Sequence, residues 1–334
     1  MLPYDVDRRP LTRLRRFLRP RPYKDRLPPG LVAEVIQRRN KSDSRFIFLN
    51  GVELAELACS LREQLDTATA RLVLFSFGLE SVDYLHRARA DLSLHTRRAT
   101  QTLGRQIAAE SHQRQCLDYV FTMAPFEAEI ERWLGAKQVE WLPRTVPAGN
   151  RLDWQPDPNR IGCVGTWDHP PNAEGLILFL EAFDRIAPPE VRFRLVGGPA
   201  HSGRVIAERN PHVDYLGTLS DQALKQEAST WSCFVHPIFC YARGASTKLA
   251  VALGWQIPVV TTRAGARGYQ WREGTIPTVE TPDELARLAL TMLEPMIART
   301  ARDQTSLVAA SSPGLKDVAA MVRKVLLAPD KSEG

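Results

Sequence analysis

Short apolar runs alternate with longer stretches of helical spacing along most of the chain, and this alternation limits the fold more than any other feature. FIFL at 46–49, LVLFS at 72–76, YVFT at 119–122 and QVEWL at 138–142 read as strands. Helices are expected over 52–64, over 82–115 with a break near Gly104, and over 125–134. The pattern repeats more cleanly further on, with strands at 161–164, 193–196, 213–216, 233–236, 258–261 and 276–279. The helices there fall at 173–186, 203–209, 221–228, 246–255 and 282–293, and Asn172 and Ser220 stand where N-caps belong. Alternation of this kind predicts an α/β protein of parallel sheets with helices on both faces. Such sheets take their ligands outside the carboxyl ends of the strands.

One stretch interrupts the pattern. Residues 143–160, PRTVPAGNRLDWQPDPNR, are rich in turn formers and show no periodicity, so they read as a boundary. A chain of 334 residues has room for two domains. The expected layout is a basic extension over 1–28, a first α/β domain over 29–145 and a linker over 146–160. A second α/β domain over 161–312 and a C-terminal helix and tail over 313–334 complete it. The last helix, 315–327, gathers Leu315, Val318, Val322, Val325 and Leu326 on one face, which predicts that this face packs on something.

The net charge is confined to one end. Of the 44 Lys/Arg and 38 Asp/Glu residues, nine and three fall within 1–26, so 35 of each sign remain in a balanced body. That balance argues against an extended nucleic-acid-binding face. Within the tail, Pro10 can open a helix that Pro20 and Pro22 close, with Leu11, Leu14, Phe17 and Leu18 on one side. A basic amphipathic segment over 8–26 can lie on an anionic membrane surface. A solvated or subunit-binding extension is the competing reading. Asp5-Val6-Asp7 is a DxD triplet with no preceding strand to place it beside a ligand, and is read as chance.

No apolar run approaches the roughly 20 residues of a membrane span, and no signal-peptide core opens the chain. The five cysteines, Cys59, Cys116, Cys163, Cys233 and Cys240, are an odd set without CxxC spacing. They read as reduced packing residues of a cytoplasmic protein. The histidines are scattered with no HxxxH or Cys/His cluster, so no metal site is expected.

The stretch with the most chemistry is 236–262, HPIFCYARGASTKLAVALGWQIPVVTT. A strand ends at His236, a loop carries Tyr241, Arg243 and Gly244, and a helix follows from Ser246. Gly244, Ala245 and Ser246 are small enough for a ligand to approach the backbone, and the first N–H groups of the helix lack internal partners. With Arg243 and Lys248 beside it, this helix start is a natural seat for phosphate. Arg243 as a solvated or subunit-contacting loop cation remains the alternative. His236 reads equally as a ligand contact or a structural residue. Two other loops bear glycine at strand ends: Gly165-Thr166-Trp167, followed by His169, and Gly197-Gly198. Trp167 and Tyr241 can stack on a ring or simply pack. On the rim of the first sheet stand Asn50, Ser76, Gly78 and Glu80, with turn and capping roles as their alternative.

The order of pieces over 161–293 resembles the donor-binding domain of the retaining glycosyltransferases of family 4. The matching pieces are IGCVGTWDHPPNAEGLILFLEAF, VRFRLVGG, VDYLGTLSDQAL, WSCFVHPIFCYARGASTKLAVALGWQIPVVTTRAGARG and TPDELARLALTML. The first half resembles the acceptor domain more loosely, through FIFLNG, RLVLFSFG and YVFTMAPFEAEIERWLG…VEWLP, and looks short. The resemblance implies the GT-B architecture: two Rossmann-like, doubly wound parallel-sheet domains facing a cleft. It implies a nucleotide-sugar donor as co-substrate, no cofactor and no metal, and an acceptor that is a glycan, a lipid-linked intermediate or a small glycoside. Arg243 and Lys248 become the catalytic candidates. Gly165, Thr166, Trp167, His169, Gly197, Gly198, His236, Tyr241, Gly244, Ala245, Ser246 and Thr247 become the donor-binding ones, and Asn50, Ser76, Gly78 and Glu80 those on the acceptor side.

The family has two glutamates, separated by seven residues, that contact the transferred sugar and the ribose. Aligned on Gly244 and Pro258, these positions are Arg243 and Val251 here. The expected activity is hexosyl or other glycosyl transfer with retention, in the cytoplasm or loosely on the inner face of the membrane. Two alternatives stand beside it: a non-catalytic relative acting as a binding or scaffold partner, and a nucleic-acid-directed glycosyltransferase.

Overall fold

The structure, a computed structural model, describes residues 30–42, 44–90, 95–241 and 243–328. The basic segment 8–26 and Asp5-Val6-Asp7 lie outside the described residues. The chain forms two compact units. The N-terminal unit holds the described residues up to Leu142, with Arg243, Gly244 and the end of the last helix; the C-terminal unit holds Pro143–Tyr241 and Ala245–Lys324.

The N-terminal unit runs α1 (Leu31–Ser42), β1 (Phe46–Asn50), a 3-10 turn at Val52–Leu54, α2 (Ala55–Arg62), β2 (Arg71–Phe75), α3 (Glu80–Ala90), α4 (Arg97–Gln115), β3 (Tyr119–Thr122), α5 (Pro125–Trp133) and β4 (Gln138–Trp141). The four strands pair in parallel in the order β1-β2-β3-β4. Ile47, Leu49, Leu72, Leu74, Val120 and Val139 share one core with α2 and with Leu31 of α1. Side chains alternate along a strand, so the opposite face carries a row of stacked rings: Phe48 to Phe75 at 5.9 Å and Phe75 to Phe121 at 5.3 Å. The expected break near Gly104 is not there. Gly104 lies inside α4, which starts instead at Arg97, where the Thr96 hydroxyl accepts from Ala99 N at 3.2 Å.

In the C-terminal unit the elements are β5 (Arg160–Thr166), α6 (Pro170–Asp184), β6 (Arg192–Gly198), α7 (Ala200–Arg209), β7 (Val213–Gly217), α8 (Asp221–Ala228), β8 (Phe234–His236), α9 (Thr247–Trp255), β9 (Val259–Thr262), α10 (Arg263–Ala266), β10 (Thr278–Val279), α11 (Pro282–Thr291), α12 (Pro295–Ser311) and α13 (Leu315–Leu326), the last reaching past the unit's end. Its sheet is parallel in the order β10-β9-β8-β5-β6-β7. The order reverses between β5 and β8, which is the switch point of a doubly wound parallel sheet. The sheet feeds two cores. Ile161, Cys163, Phe193, Leu195, Val235 and Val260 face α6 and α11, whereas Val164, Val196, Phe234 and Val259 face α9 and α12.

Residues 143–160, read as the linker, are packed on the C-terminal unit. Leu152 and Trp154 are buried, Leu152 N donates to Trp255 O at 3.0 Å and Trp154 Nε1 to Trp231 O at 2.7 Å. Trp154 and Trp231 are what anchor this segment, so its turn-rich composition reflects an irregular path and not a free one. The expected N-cap at Ser220 is present, accepting from Ala223 N at 3.3 Å. Asn172 is not a cap: α6 starts earlier, at Pro170, and Asn172 Nδ2 donates back to Thr166 O at 3.1 Å. The face expected to pack on α13 is only half-covered, with no residue of that helix buried.

Candidate functional site

The switch point carries a pocket of about 350 Å³. Its walls are Val164 of β5, Phe234 of β8, Asp221, Leu224 and Lys225 of α8, and Thr247, Lys248, Val251 and Trp255 of α9, with Asn150 from the packed strap. Thr247, Val251 and Trp255 are spaced by four and so form one stripe along α9. The apolar side of the pocket can take a ring, and its cations, Lys225 and Lys248, can take an anion.

Why the start of α9 is polar and open follows from its neighbours. Ser246 is the N-cap residue, yet its side chain makes no cap hydrogen bond. Its hydroxyl lies 2.8 Å from His236 Nε2, and its carbonyl accepts from the Tyr269 hydroxyl. Thr261 Oγ1 donates to the His236 carbonyl at 3.0 Å and lies 2.9 Å from His236 Nδ1. A hydroxyl has one proton. Nδ1 is therefore the donor to Thr261, and Nε2 accepts the proton of Ser246. His236 is 1 % exposed, and burial, with help from Lys248 and Arg267, pushes its pKa down to about 3. It is a neutral imidazole between two hydroxyls, contacts that support the structural one of its two readings. The helix start it borders is left without a side-chain cap, and the orphan N–H groups there favour an anion.

Lys248, in the first turn of α9, is half-buried in the pocket wall, and burial lowers its pKa below the ordinary lysine value. Thr247 is exposed, and Ala245 and Ser246 are half-buried. Arg243 and Gly244 belong to the N-terminal unit. There Arg243 Nη1 meets Glu80 Oε1 at 2.8 Å and its Nε meets Asp83 Oδ2 at 3.0 Å. Gly244 N donates to the buried Glu127 carboxylate at 2.6 Å. Two carboxylates thus match the Arg243 charge that the sequence reading directed at phosphate.

The glycine-bearing loops have packing explanations. Gly165 and Gly197 are register partners on β5 and β6. A Cβ on Gly197, which has φ +128, would sit 1.9 Å from Gly165 O, and one on Gly165 would strike the Trp167 ring at 2.1 Å. Trp167 is 3 % exposed and belongs to the core on the α6 side, so it presents no stacking face. Gly198 and Thr166 pair across the same two strand ends. His169 is the exposed N-cap residue of α6, and Tyr241 is 53 % exposed.

Among the acceptor-side candidates, only Asn50 is exposed. Ser76 is fully buried and donates to Glu131 Oε1 at 2.9 Å. Gly78 is buried with φ +117, and a Cβ there would meet Arg243 Cβ at 2.0 Å. Glu80 is held in its ion pair with Arg243.

Asn150, Asp221, Lys225 and Phe234 were not singled out in the sequence. Their spacing carries no motif, and only the reversal of strand order brings them together. The structure also gathers Cys59, His112 and Cys116, whose donor atoms lie within 4.8 Å of one another. Cys59 is remote in sequence from the other two, so only the His112-x-x-x-Cys116 spacing signals this cluster in the sequence. A larger pocket of about 590 Å³ lies between residues 154–158 and α12. Its Arg302 already donates to Gln256 O and Leu152 O and sits 5.0 Å over the Trp154 ring, so it reads as a packing defect beside the strap.

Residues 158–295 match the family described as Glycosyl transferases group 1. No curated protein matches the chain in sequence. In fold, the chain is similar to Anabaena Alr3699/HepE in complex with UDP and glucose, with TM-score 0.62, 14 % identity, and 89 % of this chain and 81 % of that one covered. It is also similar to the lipopolysaccharide outer core galactosyltransferase WaaB in its apo form, with TM-score 0.57, 11 % identity and coverage of 88 % and 78 %. A third is WaaG, a glycosyltransferase involved in lipopolysaccharide biosynthesis, with TM-score 0.54, 15 % identity and coverage of 83 % and 82 %. Residues 158–295 are similar in sequence to the group 1 glycosyltransferases, and the chain has the fold of the GT-B glycosyltransferases.

Proposed function

We propose that this protein transfers a sugar from a nucleoside-diphosphate donor to a hydroxyl acceptor, with retention and without a metal. The observation that carries the reading is the switch-point pocket, in which the uncapped start of α9 and the half-buried Lys248 meet an apolar wall. The nucleoside lies against Val164, Phe234 and Trp255, and the diphosphate lies at Thr247 and Lys248. In the reaction the bond from the anomeric carbon to the phosphate oxygen breaks and negative charge grows on the departing diphosphate. Lys248 and the helix dipole stabilise that charge. The acceptor oxygen bonds to the anomeric carbon, and its proton passes to the leaving phosphate. The acceptor is a glycan, a lipid-linked intermediate or a small glycoside. Membrane contact through residues 8–26 belongs to the same proposal and rests on sequence alone.

A second reading has its own support. The two positions where the family carries glutamate are Arg243 and Val251, and Arg243 is ion-paired with Glu80 and Asp83. On this reading the chain binds nucleotide without turning it over.

Calorimetric titration with UDP and a panel of nucleotide sugars separates these outcomes. Binding that weakens about tenfold or more in Lys248→Ala supports the pocket, a charge-assisted contact being worth about 1.5–3 kcal/mol. Sugar transfer or slow donor hydrolysis by the same protein supports the enzyme, and binding without either supports the second reading. No binding by any nucleoside diphosphate at millimolar concentration overturns both.

A further inference from the structure

The N-terminal unit holds a cluster of soft donors that takes no part in the proposed transfer. His112 and Cys116 are four residues apart at the end of α4, so they share one side of the helix. Cys59 projects from α2, which packs alongside. The two Sγ atoms are 2.8 Å apart, and the imidazole nitrogen and both sulfurs all lie within 4.8 Å of one another. The backbone at Cys116 is anchored on both sides: its N–H donates to Gln113 O at 3.1 Å, and its carbonyl accepts from Arg62 Nε at 3.3 Å. Glu56 and Glu63 add negative charge around Cys59. His112 is exposed and both cysteines are half-buried, so an ion can enter from solvent and water can complete its shell.

We propose that Cys59, His112 and Cys116 bind one Zn²⁺ ion, with a water in the fourth position. Two sulfurs and one imidazole suit this borderline-soft cation, which accepts tetrahedral sites with three protein ligands. Binding displaces the two thiol protons to solvent, forms two zinc–sulfur bonds and one zinc–nitrogen bond, and changes no oxidation state. In a tetrahedral site with sulfurs at about 2.3 Å from the metal, the sulfurs stand about 3.8 Å apart. The two side chains therefore swing apart on loading, and His112, on the surface, turns to meet the ion. The bound ion ties α2 to the end of α4, so it stabilises the N-terminal unit by mass action.

The test uses the full-length chain, purified under reducing conditions and stripped with a chelator. Titration with Co²⁺ is expected to give one ion per chain with a thiolate-to-cobalt charge-transfer band, and Zn²⁺ is expected to displace it and raise Tm. Cys59→Ser and Cys116→Ser abolish the band. His112→Gln, at an exposed position that leaves both thiols in place, weakens Zn²⁺ about tenfold or more. Circular dichroism on each variant shows that the fold persists. The proposal is overturned if the reduced chain gives no cobalt band. It is equally overturned if stoichiometric zinc survives in the double cysteine variant, or if the thiols are found joined as a disulfide and bind no zinc once reduced.

Discussion

The two units share a way of building a parallel sheet but not a way of ordering it. In the N-terminal unit each strand is laid beside its predecessor, β1-β2-β3-β4, and the order never reverses. In the C-terminal unit it reverses between β5 and β8, and the pocket opens there. A reversal sends successive connections to opposite faces and leaves a crevice between them. The units also treat buried polarity differently. The N-terminal unit buries a full ion pair: Arg114 and Glu131 are both 0 % exposed and joined at 2.6 and 2.9 Å, with Ser76 on the same carboxylate. The C-terminal unit instead buries a neutral imidazole between two hydroxyls. Charge locked inside a fold is poor material for binding. In the C-terminal unit the charge sits at the pocket wall, where a ligand can use it.

The largest expected effects separate the cores. Trp231→Ala should destabilise the C-terminal unit by about 3–5 kcal/mol, because the ring fills the space over Gly162 and its Nε1 donates to Glu227. Glu131→Gln should cost a similar amount, about 3–5 kcal/mol, by leaving Arg114 charged and unmatched. Hydrogen exchange read by segment should find the two losses in different units, and a shared loss would end the description of two separate cores.

Next in size is a pH effect confined to the C-terminal unit. The folded pKa of His236, about 3, lies below its unfolded value, so the unfolded chain binds the extra proton first. The stability it confers is complete above about pH 6.5 and falls as pH drops toward 3, by at most about 1.4 kcal/mol per pH unit. Denaturant titrations from pH 7 to 5 should show this slope, and His236→Gln should flatten it. The smallest effect belongs to Arg243. Its two ion pairs are partly exposed, so Arg243→Ala should lower stability by less than about 1 kcal/mol. UDP affinity should fall less than in Lys248→Ala. The reverse ranking would move the phosphate seat into the loop.

Much of the framework was legible from residues alone, because apolar runs such as YVFT and RFRLV announce buried strands whatever their neighbours. Helix α12 escaped notice because its buried positions, Ala298, Ala301, Thr305 and Val308, are small or polar and leave little apolar signal. Lys248 could be placed from the glycine and helix around it. Arg243 could not be, since nothing in the sequence brings Glu80 and Asp83 beside a residue that follows them by 163 and 160 positions. The glycines at 165 and 197 stand out in the sequence, and the structure adds a packing demand there, since a Cβ on either would strike Gly165 O or the Trp167 ring.

One hydrogen bond has reach beyond its length. By turning toward the imidazole of His236, Ser246 leaves the front of α9 electrically bare. An anion arriving there would meet backbone amides that no capping hydroxyl occupies. Binding at such a socket should be quick and almost free of rearrangement, with selectivity left to the walls around it.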